Sequence, residues 1–371
     1  MQETTVLILD SLRPIDDTRV DRTKRHSLEL ILFVAVCAYL CGCEGFNEME
    51  LFAEENQEWL KAELGMSGVP SHDTFNRVFQ AIDPAQFGGC LIALAARLRE
   101  RAGAAAAGGV VAFDGKAHRG TGKGGAGMLH TLNAWSAAGR LVLGQLEVDG
   151  KSNEITAIPQ LMDLLDLKGC VVTADALNTQ KAVAAKAVEK GADWLLPLKG
   201  NHPLVEAEVC AFMETVAARA VPGFESVEKD HGRIETRRCW QSADTAWFAD
   251  APLWAGLSSF ALIERTREFP NGHRESIRQL YLSSLPVGER RTAQAARDHW
   301  GVENPCHWCL DVVFNEDRSR ARERNAAKNL GVLRKICLNI LRSSKAKGSL
   351  RSKRMRAALR RSYLVELLSS F

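Results

Sequence analysis

Asp114 closes a run of four apolar residues, Val110-Val111-Ala112-Phe113, and is followed by Gly115-Lys116-Ala117-His118-Arg119-Gly120. Four apolar residues in a row mark a short strand buried on both faces. The carboxylate therefore stands at the tip of a fixed backbone. Gly115 lets a second backbone or a ligand approach closely, and the cations beyond it suit a phosphate. A rigid carboxylate in that setting can hold a hard divalent cation against a phosphate ester. Asp175 repeats the design at the end of Val171-Val172-Thr173-Ala174. If the two strands are neighbours, the aspartates lie side by side, which is costly unless a cation neutralises them. A shared pair of Mg²⁺ ions about 4 Å apart explains the pairing economically. A third carboxylate should come from a later helix, and Ala295–Asn304 supplies Glu303, one turn after His299. Alone, each aspartate reads as a polar turn and Glu303 as a surface residue. The set points to chemistry, because basic and aromatic residues surround it.

The elements between these groups decide whether they can meet. Strands are expected at Val110–Asp114, Leu129–Ser136 and Leu141–Val148, the last two joined by the turn Ala137-Ala138-Gly139-Arg140. A helix over Ile155–Leu165, a strand over Gly169–Asp175, an alanine-rich helix over Asn178–Lys190 and a strand over Trp194–Leu198 follow. This order predicts an α/β fold: a ribonuclease-H-like mixed sheet flanked by helices, in which the first and fourth strands are neighbours. From Glu206 to about Ser284 a helix gives way to alternating segments that read as a β-rich insertion. Gly288–Val313 and Arg320–Leu341 read as helices, the second amphipathic.

Residues 1–105 read as helical. Pro70-Ser71-His72-Asp73-Thr74, followed by Phe75, Val78 and Phe79, is a capped helix start. With the helix before it and the Gly65/Gly68 turn it resembles a helix-turn-helix, in which Thr74, Asn76 and Arg77 could face DNA. The formal net charge is only +3, but Arg342 to Arg361 carries nine cations, Arg342, Lys345, Lys347, Arg351, Lys353, Arg354, Arg356, Arg360 and Arg361, and no acid. Such a run is a solvated face or a phosphate-binding one. The ten cysteines follow no disulfide spacing, and Cys306-His307-Trp308-Cys309 lacks the second pair that a zinc site requires. A reducing cytoplasm is expected. The longest apolar run, Leu30–Cys43, is too short to span a bilayer, so no membrane role is implied. Gly120-Thr121-Gly122-Lys123-Gly124-Gly125 matches a dinucleotide fingerprint, but a strand follows it where a helix is needed, and it reads as a loop.

Ordered blocks along nearly the whole chain resemble the DDE transposases of the H-repeat-associated, ISAs-type insertion-sequence group. They are Arg25-His26-Ser27-Leu28, Pro70-Ser71-His72-Asp73-Thr74-Phe75, Asp114-Gly115-Lys116 and Lys151-Ser152-Asn153-Glu154-Ile155-Thr156-Ala157-Ile158-Pro159. Thr173-Ala174-Asp175-Ala176, Leu198-Lys199-Gly200-Asn201, His231-Gly232-Arg233-Ile234-Glu235 and His299-Trp300-Gly301-Val302-Glu303-Asn304, through His307-Trp308 to Asp311, continue them. The resemblance implies an N-terminal helical, transposase-associated and DNA-binding domain over 1–105 and a catalytic core over 106–205 and 288–345. It also implies a β-rich insertion over 206–287 and leaves a basic C-terminal tail over 346–371. It implies that Asp114, Asp175 and Glu303 form a catalytic, metal-holding triad using Mg²⁺, with Mn²⁺ as a substitute. Lys116, Arg119, Lys199, His231, Arg233, Arg297, His299 and Arg77 are the expected DNA contacts. His299 and Leu310 stand where the larger related group has arginine and lysine, and Asn178 stands where family members commonly have histidine. Pro305 and Cys306 also differ from the more usual residues after Glu-Asn. The partners implied are element-end and target DNA, bound by a homodimer or higher multimer at a bacterial nucleoid. The rivals are a metal-dependent nuclease of the same superfold and a catalytically silent DNA-binding relic or repressor.

Overall fold

The structure is a computed structural model describing residues 3–103, 108–122, 127–148, 154–230, 232–288, 290–323 and 325–369. These fall into two compact units. One draws on Met1–Ala106, Gly115–Ser152 and Glu303–Phe371, the other on Ala107–Asp114 and Asn153–Val302. Strand β1 (Val110–His118) belongs in part to each.

The first unit is mainly helical: α1 (Glu3–Leu12), α2 (Leu28–Leu40), α3 (Phe46–Glu55), α4 (Gln57–Leu64), α5 (His72–Ala81) and α6 (Pro84–Ala102). It also holds β2 (Leu129–Ser136), β3 (Leu141–Val148), a π-helix (Val302–Trp308, counted from Glu303), α11 (Cys309–Val312), α12 (Ala326–Ser343), α13 (Leu350–Leu359) and α14 (Arg361–Leu368). Helix α2 is apolar on every side and buried from Ile31 to Leu40, as such a helix must be. The Ser27 hydroxyl caps it by accepting from the Leu30 N–H at 3.4 Å. Helix α12 packs on α2, α6 and β3. Its Asn339 accepts from the Val142 N–H (2.9 Å) and donates to the Val142 carbonyl (2.8 Å). That gives the end strand of the sheet partners it would otherwise lack. Asn329 donates to the Phe79 and Ile82 carbonyls at the end of α5, satisfying groups a helix terminus leaves open.

The second unit holds the first half of β1, then α7 (Glu154–Asp163), β4 (Val171–Ala174), α8 (Lys181–Glu189), β5 (Asp193–Leu198) and α9 (Pro203–Arg219). After these come β6 (Phe224–Asp230), β7 (Arg233–Ser242), β8 (Ser259–Glu268), β9 (Arg274–Ser283) and α10 (Arg290–His299). The strand order is β3-β2-β1-β4-β5-β9-β8-β7-β6. β1, β4 and β5 are parallel, with Val110 opposite Val171 and Phe113 opposite Ala174, while β2–β3 and every pair from β5 to β6 are antiparallel. The first five positions are the ribonuclease-H-like order, so the mixed α/β sheet flanked by helices is as expected. The β-rich stretch extends that sheet, because β9 pairs directly with β5.

Several local expectations change. The helix expected over Gly288–Val313 breaks after His299 and resumes as the π-helix. Pro305 lacks an N–H and its ring crowds the carbonyl four residues back, which an α-helical turn does not accommodate. The helix expected from Arg320 starts only at Ala326. The basic C-terminal segment forms α13 and α14, with Lys353 and Arg354 turned inward. Arg354 donates from Nε to the Tyr39 carbonyl (3.1 Å) and lies over the Phe314 ring. Residues 65–71 between α4 and α5 exceed the three or four residues usual in a DNA-reading helix-turn-helix. Among the described residues no single helix is long and apolar enough to cross a membrane.

Candidate active site

The parallel register of β1 and β4 places Asp114 and Asp175 one residue beyond the Phe113–Ala174 pair. Both are half-buried. Asp175 is held by the loop that follows it. The Asn178 N–H (3.0 Å) and side-chain Nδ2 (2.7 Å) both donate to its Oδ1, and Nδ2 also lies 3.4 Å from Glu154 Oε2. Thr179 Oγ1 fastens the same loop to the Pro197 carbonyl at 2.6 Å, and His202 Nε2 meets the Thr179 carbonyl at 2.7 Å. The His299 imidazole, at the end of α10, lies with Nδ1 3.0 Å from Thr173 Oγ1. Burial pushes its pKa down to about 4 against the pull of Asp175, so it is neutral at physiological pH. Two backbone-anchored aspartates with one oxygen fixed by two donors offer hard oxygen ligands, the donor chemistry that Mg²⁺ takes. Among the described residues no group of three or more His, Cys, Asp or Glu side chains is gathered closely enough to hold a metal ion.

In the first unit, Glu303 is exposed at the start of the π-helix. Lys116, expected at a DNA phosphate, is only 6% exposed. Its Nζ meets Asp311 Oδ1 at 2.7 Å, Glu316 Oε2 at 3.4 Å and Asp317 Oδ1 at 3.8 Å. Burial alone would lower this lysine's pKa, but Glu316, Asp311 and Asp317 outweigh it and hold the pKa above the usual value. Its ammonium is taken up inside the unit. Glu316 is fully buried, with Arg334 NH1 at 3.8 Å, and Lys335 donates to Gln145 Oε1 at 2.6 Å. Burial would raise the Glu316 carboxyl, yet His118, Lys335, Arg334 and Lys116 around it hold it well below the carboxylate range.

Of the remaining expected contacts, Arg119 borders this cluster. Arg119 is exposed, its backbone N–H donating to Asp317 Oδ1 at 3.1 Å. Lys199 is exposed beyond β5. Arg297 is exposed and forks onto Glu228, with NH2 2.7 Å from Oε2. Arg233 is half-buried, its Nε 4.0 Å from Glu235. Arg77 is exposed and 3.7 Å from Asp73 on the same helix. His231 lies outside the described residues. Sequence reasoning missed Glu154, Asp311, Glu316 and Lys335 as partners, although Arg334-Lys335 inside an apolar helical stripe was a visible signal.

The buried histidines set an acid limit. Burial pushes His118 and His307 down to about 3 and His299 to about 4, whereas an unfolded histidine titrates near pH 6.5. Below about pH 6.5 the unfolded chain therefore binds protons that the native chain does not, until the native values are reached. Stability should fall with pH across that window, by up to about 1.4 kcal/mol per pH unit per histidine. His118→Gln should flatten the plot of urea midpoint against pH. An unaltered plot would mean His118 titrates normally.

Comparison with known proteins adds to this geometry. Residues 9–95 match the DDE_Tnp_1-associated family and residues 105–340 the Transposase DDE domain. YncI of Escherichia coli O157:H7, a candidate transposase by name, is 37% identical over 98% of this chain and 94% of its own. YhhI of Escherichia coli K12, named as an H repeat-associated candidate transposase, is 34% identical over 98% and 97%. A protein encoded in the dhlA 3′ region of Xanthobacter autotrophicus is 43% identical over 72% and 91%. A piggyBac transposase chain from a synaptic complex with hairpin DNA aligns with 99% of this chain and 79% of its own, at 10% identity and a TM-score of 0.42, too loosely to add to the strand order. With a DDE domain over most of its length and near full-length relatives of this kind, the chain belongs to the DDE transposase family, in its H-repeat-associated branch.

Proposed function

We propose that the chain cuts and joins DNA strands as an insertion-sequence transposase, with Asp114, Asp175 and Glu303 as its acidic triad. The observation that carries this reading is the pairing of two aspartates one residue beyond the Phe113–Ala174 register pair of neighbouring parallel strands, Asp175 just past the end of β4 and Asp114 within β1. Their mutual repulsion is relieved by a divalent cation. Mg²⁺ held there, with Mn²⁺ as substitute, would supply activation of a water or 3′-hydroxyl and neutralisation of the leaving oxygen. The protein's part is positioning. Asn178 fixes the Asp175 carboxylate through Oδ1. The neutral His299 adds no cation that would compete for it. Lys199, Arg119 and Arg297, which are exposed, and the half-buried Arg233 are the proposed phosphate contacts, with the exposed Arg77 on α5. The proposed partners are element-end and target DNA in the bacterial cytoplasm, bound by a multimer.

The test is incubation with a supercoiled plasmid carrying the parent element's ends, with and without Mg²⁺. Nicked and joined products that need Mg²⁺ are expected. Cutting without joined products would make the protein a nuclease, and a gel shift without cutting would make it a DNA-binding relic. Loss of the Asn178 amide should cost about 10–100-fold in metal affinity or activity, as for other groups that orient metal ligands. Asn178→Ala should raise the Mg²⁺ concentration for half-maximal cleavage, while Asn178→His should retain most of the activity. An unshifted Mg²⁺ dependence in the alanine variant would remove Asn178 from the mechanism.

A further inference from the structure

Within the first unit the chain forms an open groove of about 740 Å³ whose lining includes Asn304, the residue that follows Glu303. Four cations line it, Arg140, Arg342, Arg351 and Lys353, and no aspartate or glutamate does. The inner two are held only by neutral groups. Lys353 Nζ donates to the Leu341 and Ser344 carbonyls at 2.9 and 2.8 Å. Arg342 donates to the Pro305 carbonyl and lies over the Trp135 ring. Its buried Nε–H has no partner among the described residues. Burial holds both below their ordinary pKa values, helped by repulsion from Arg140 at Arg342 and from Arg342, Arg356 and Arg140 at Lys353. The outer two, Arg140 and Arg351, are exposed. Arg140 adopts φ 53, in the left-handed region, and with Asn315 is one of two non-glycine residues with positive φ among those described. Such strain persists where surrounding structure enforces it, commonly at ligand sites. The apolar wall includes Trp308, 56% exposed, on the same π-helix as Glu303.

Clustered cations without a counter-ion call for an anion, and an exposed indole beside them calls for a flat, uncharged ring. An unpaired nucleotide of a DNA strand is both. We propose that this groove holds an unpaired nucleotide, its phosphate at Arg140 and Arg351 and its base stacked on Trp308. The assignment rests on DNA as the substrate, but it does not depend on the triad. A paired base presents no free face for Trp308, so the groove selects single strand over duplex.

Binding is measured by fluorescence anisotropy with labelled oligothymidylate and with a blunt duplex of the same length, in EDTA, so that failure of the metal site leaves the result unchanged. Trp308→Ala should weaken oligothymidylate binding about tenfold, in the range of one stacked base. Trp308→Phe should restore most of it, and neither should alter duplex binding. Arg140→Gly with Arg351→Ala should reduce the salt slope on oligothymidylate by about 0.7, the value for one phosphate contact on a single strand. Circular dichroism checks folding, and Trp308→Leu replaces Trp308→Ala, with the same expectation, if the latter does not fold. Parent-like oligothymidylate binding by the ringless variant overturns the proposal. Equal losses on strand and duplex, or an unchanged salt slope in the arginine pair, also overturn it.

Discussion

Asp114→Asn is expected to abolish strand cleavage, by about a thousandfold or more, while binding to element-end DNA stays at the parent level. A ligand that holds a catalytic cation contributes several kcal/mol to the transition state, and about 4 kcal/mol is a thousandfold in rate. Asparagine keeps the shape of the side chain and removes its charge, so β1 and its pairing with β4 are undisturbed. Added Mg²⁺ stabilises a protein that binds it only when folded. The parent should therefore show an Mg²⁺-dependent rise in melting temperature that the variant lacks. Cleavage by Asp114→Asn at the parent rate would end the triad assignment. A lost melting response with intact cleavage would mean that the bound cation is not catalytic.

What was legible in the sequence was whatever local pattern controls. The apolar runs ending in Asp114 and Asp175 became adjacent parallel strands because strands buried on both faces have few other places to go. Strands β2 and β3 were readable to the residue, since an alternating hairpin with a short turn declares its own ends. Long-range pairing was not readable. Lys116 follows Asp114 by two positions and looks like a free phosphate ligand, but its partners Asp311, Glu316 and Asp317 lie almost 200 residues away. The β-rich stretch was legible as strands, but its attachment to β5 through β9 depends on which edge stays open after folding. Pro305 announced a break, while the π-helical form it takes depends on the packing around it. The role of Asn178 was visible only as a departure from the family's histidine. Its two bonds to Asp175 Oδ1 show that the smaller residue still supplies a donor.

The largest stability effect should come from Glu316. This carboxylate is 2% exposed and faces Lys116, Arg334 and Lys335, themselves 6%, 2% and 0% exposed. Removing one partner from a buried ionic group costs about 3–5 kcal/mol, because the charges left behind are neither solvated nor compensated. Glu316→Gln preserves volume and so isolates the charge. It should lower the free energy of unfolding of the first unit by about that amount, read from urea denaturation. Removing a cation as well should return part of the loss, so Glu316→Gln with Lys335→Met should be more stable than Glu316→Gln alone. The same cluster joins two stretches that carry the proposed chemistry. Lys116 lies two residues past Asp114 on β1, and Asp311 lies on the helical turn following the π-helix of Glu303. Loosening it should therefore reduce cleavage even at temperatures where Glu316→Gln remains folded. If Glu316→Gln unfolds within about 1 kcal/mol of the parent, a range typical of substitutions outside such networks, the buried carboxylate does not anchor the cluster. The hold on Lys116 would then have to rest on Asp311 and Asp317.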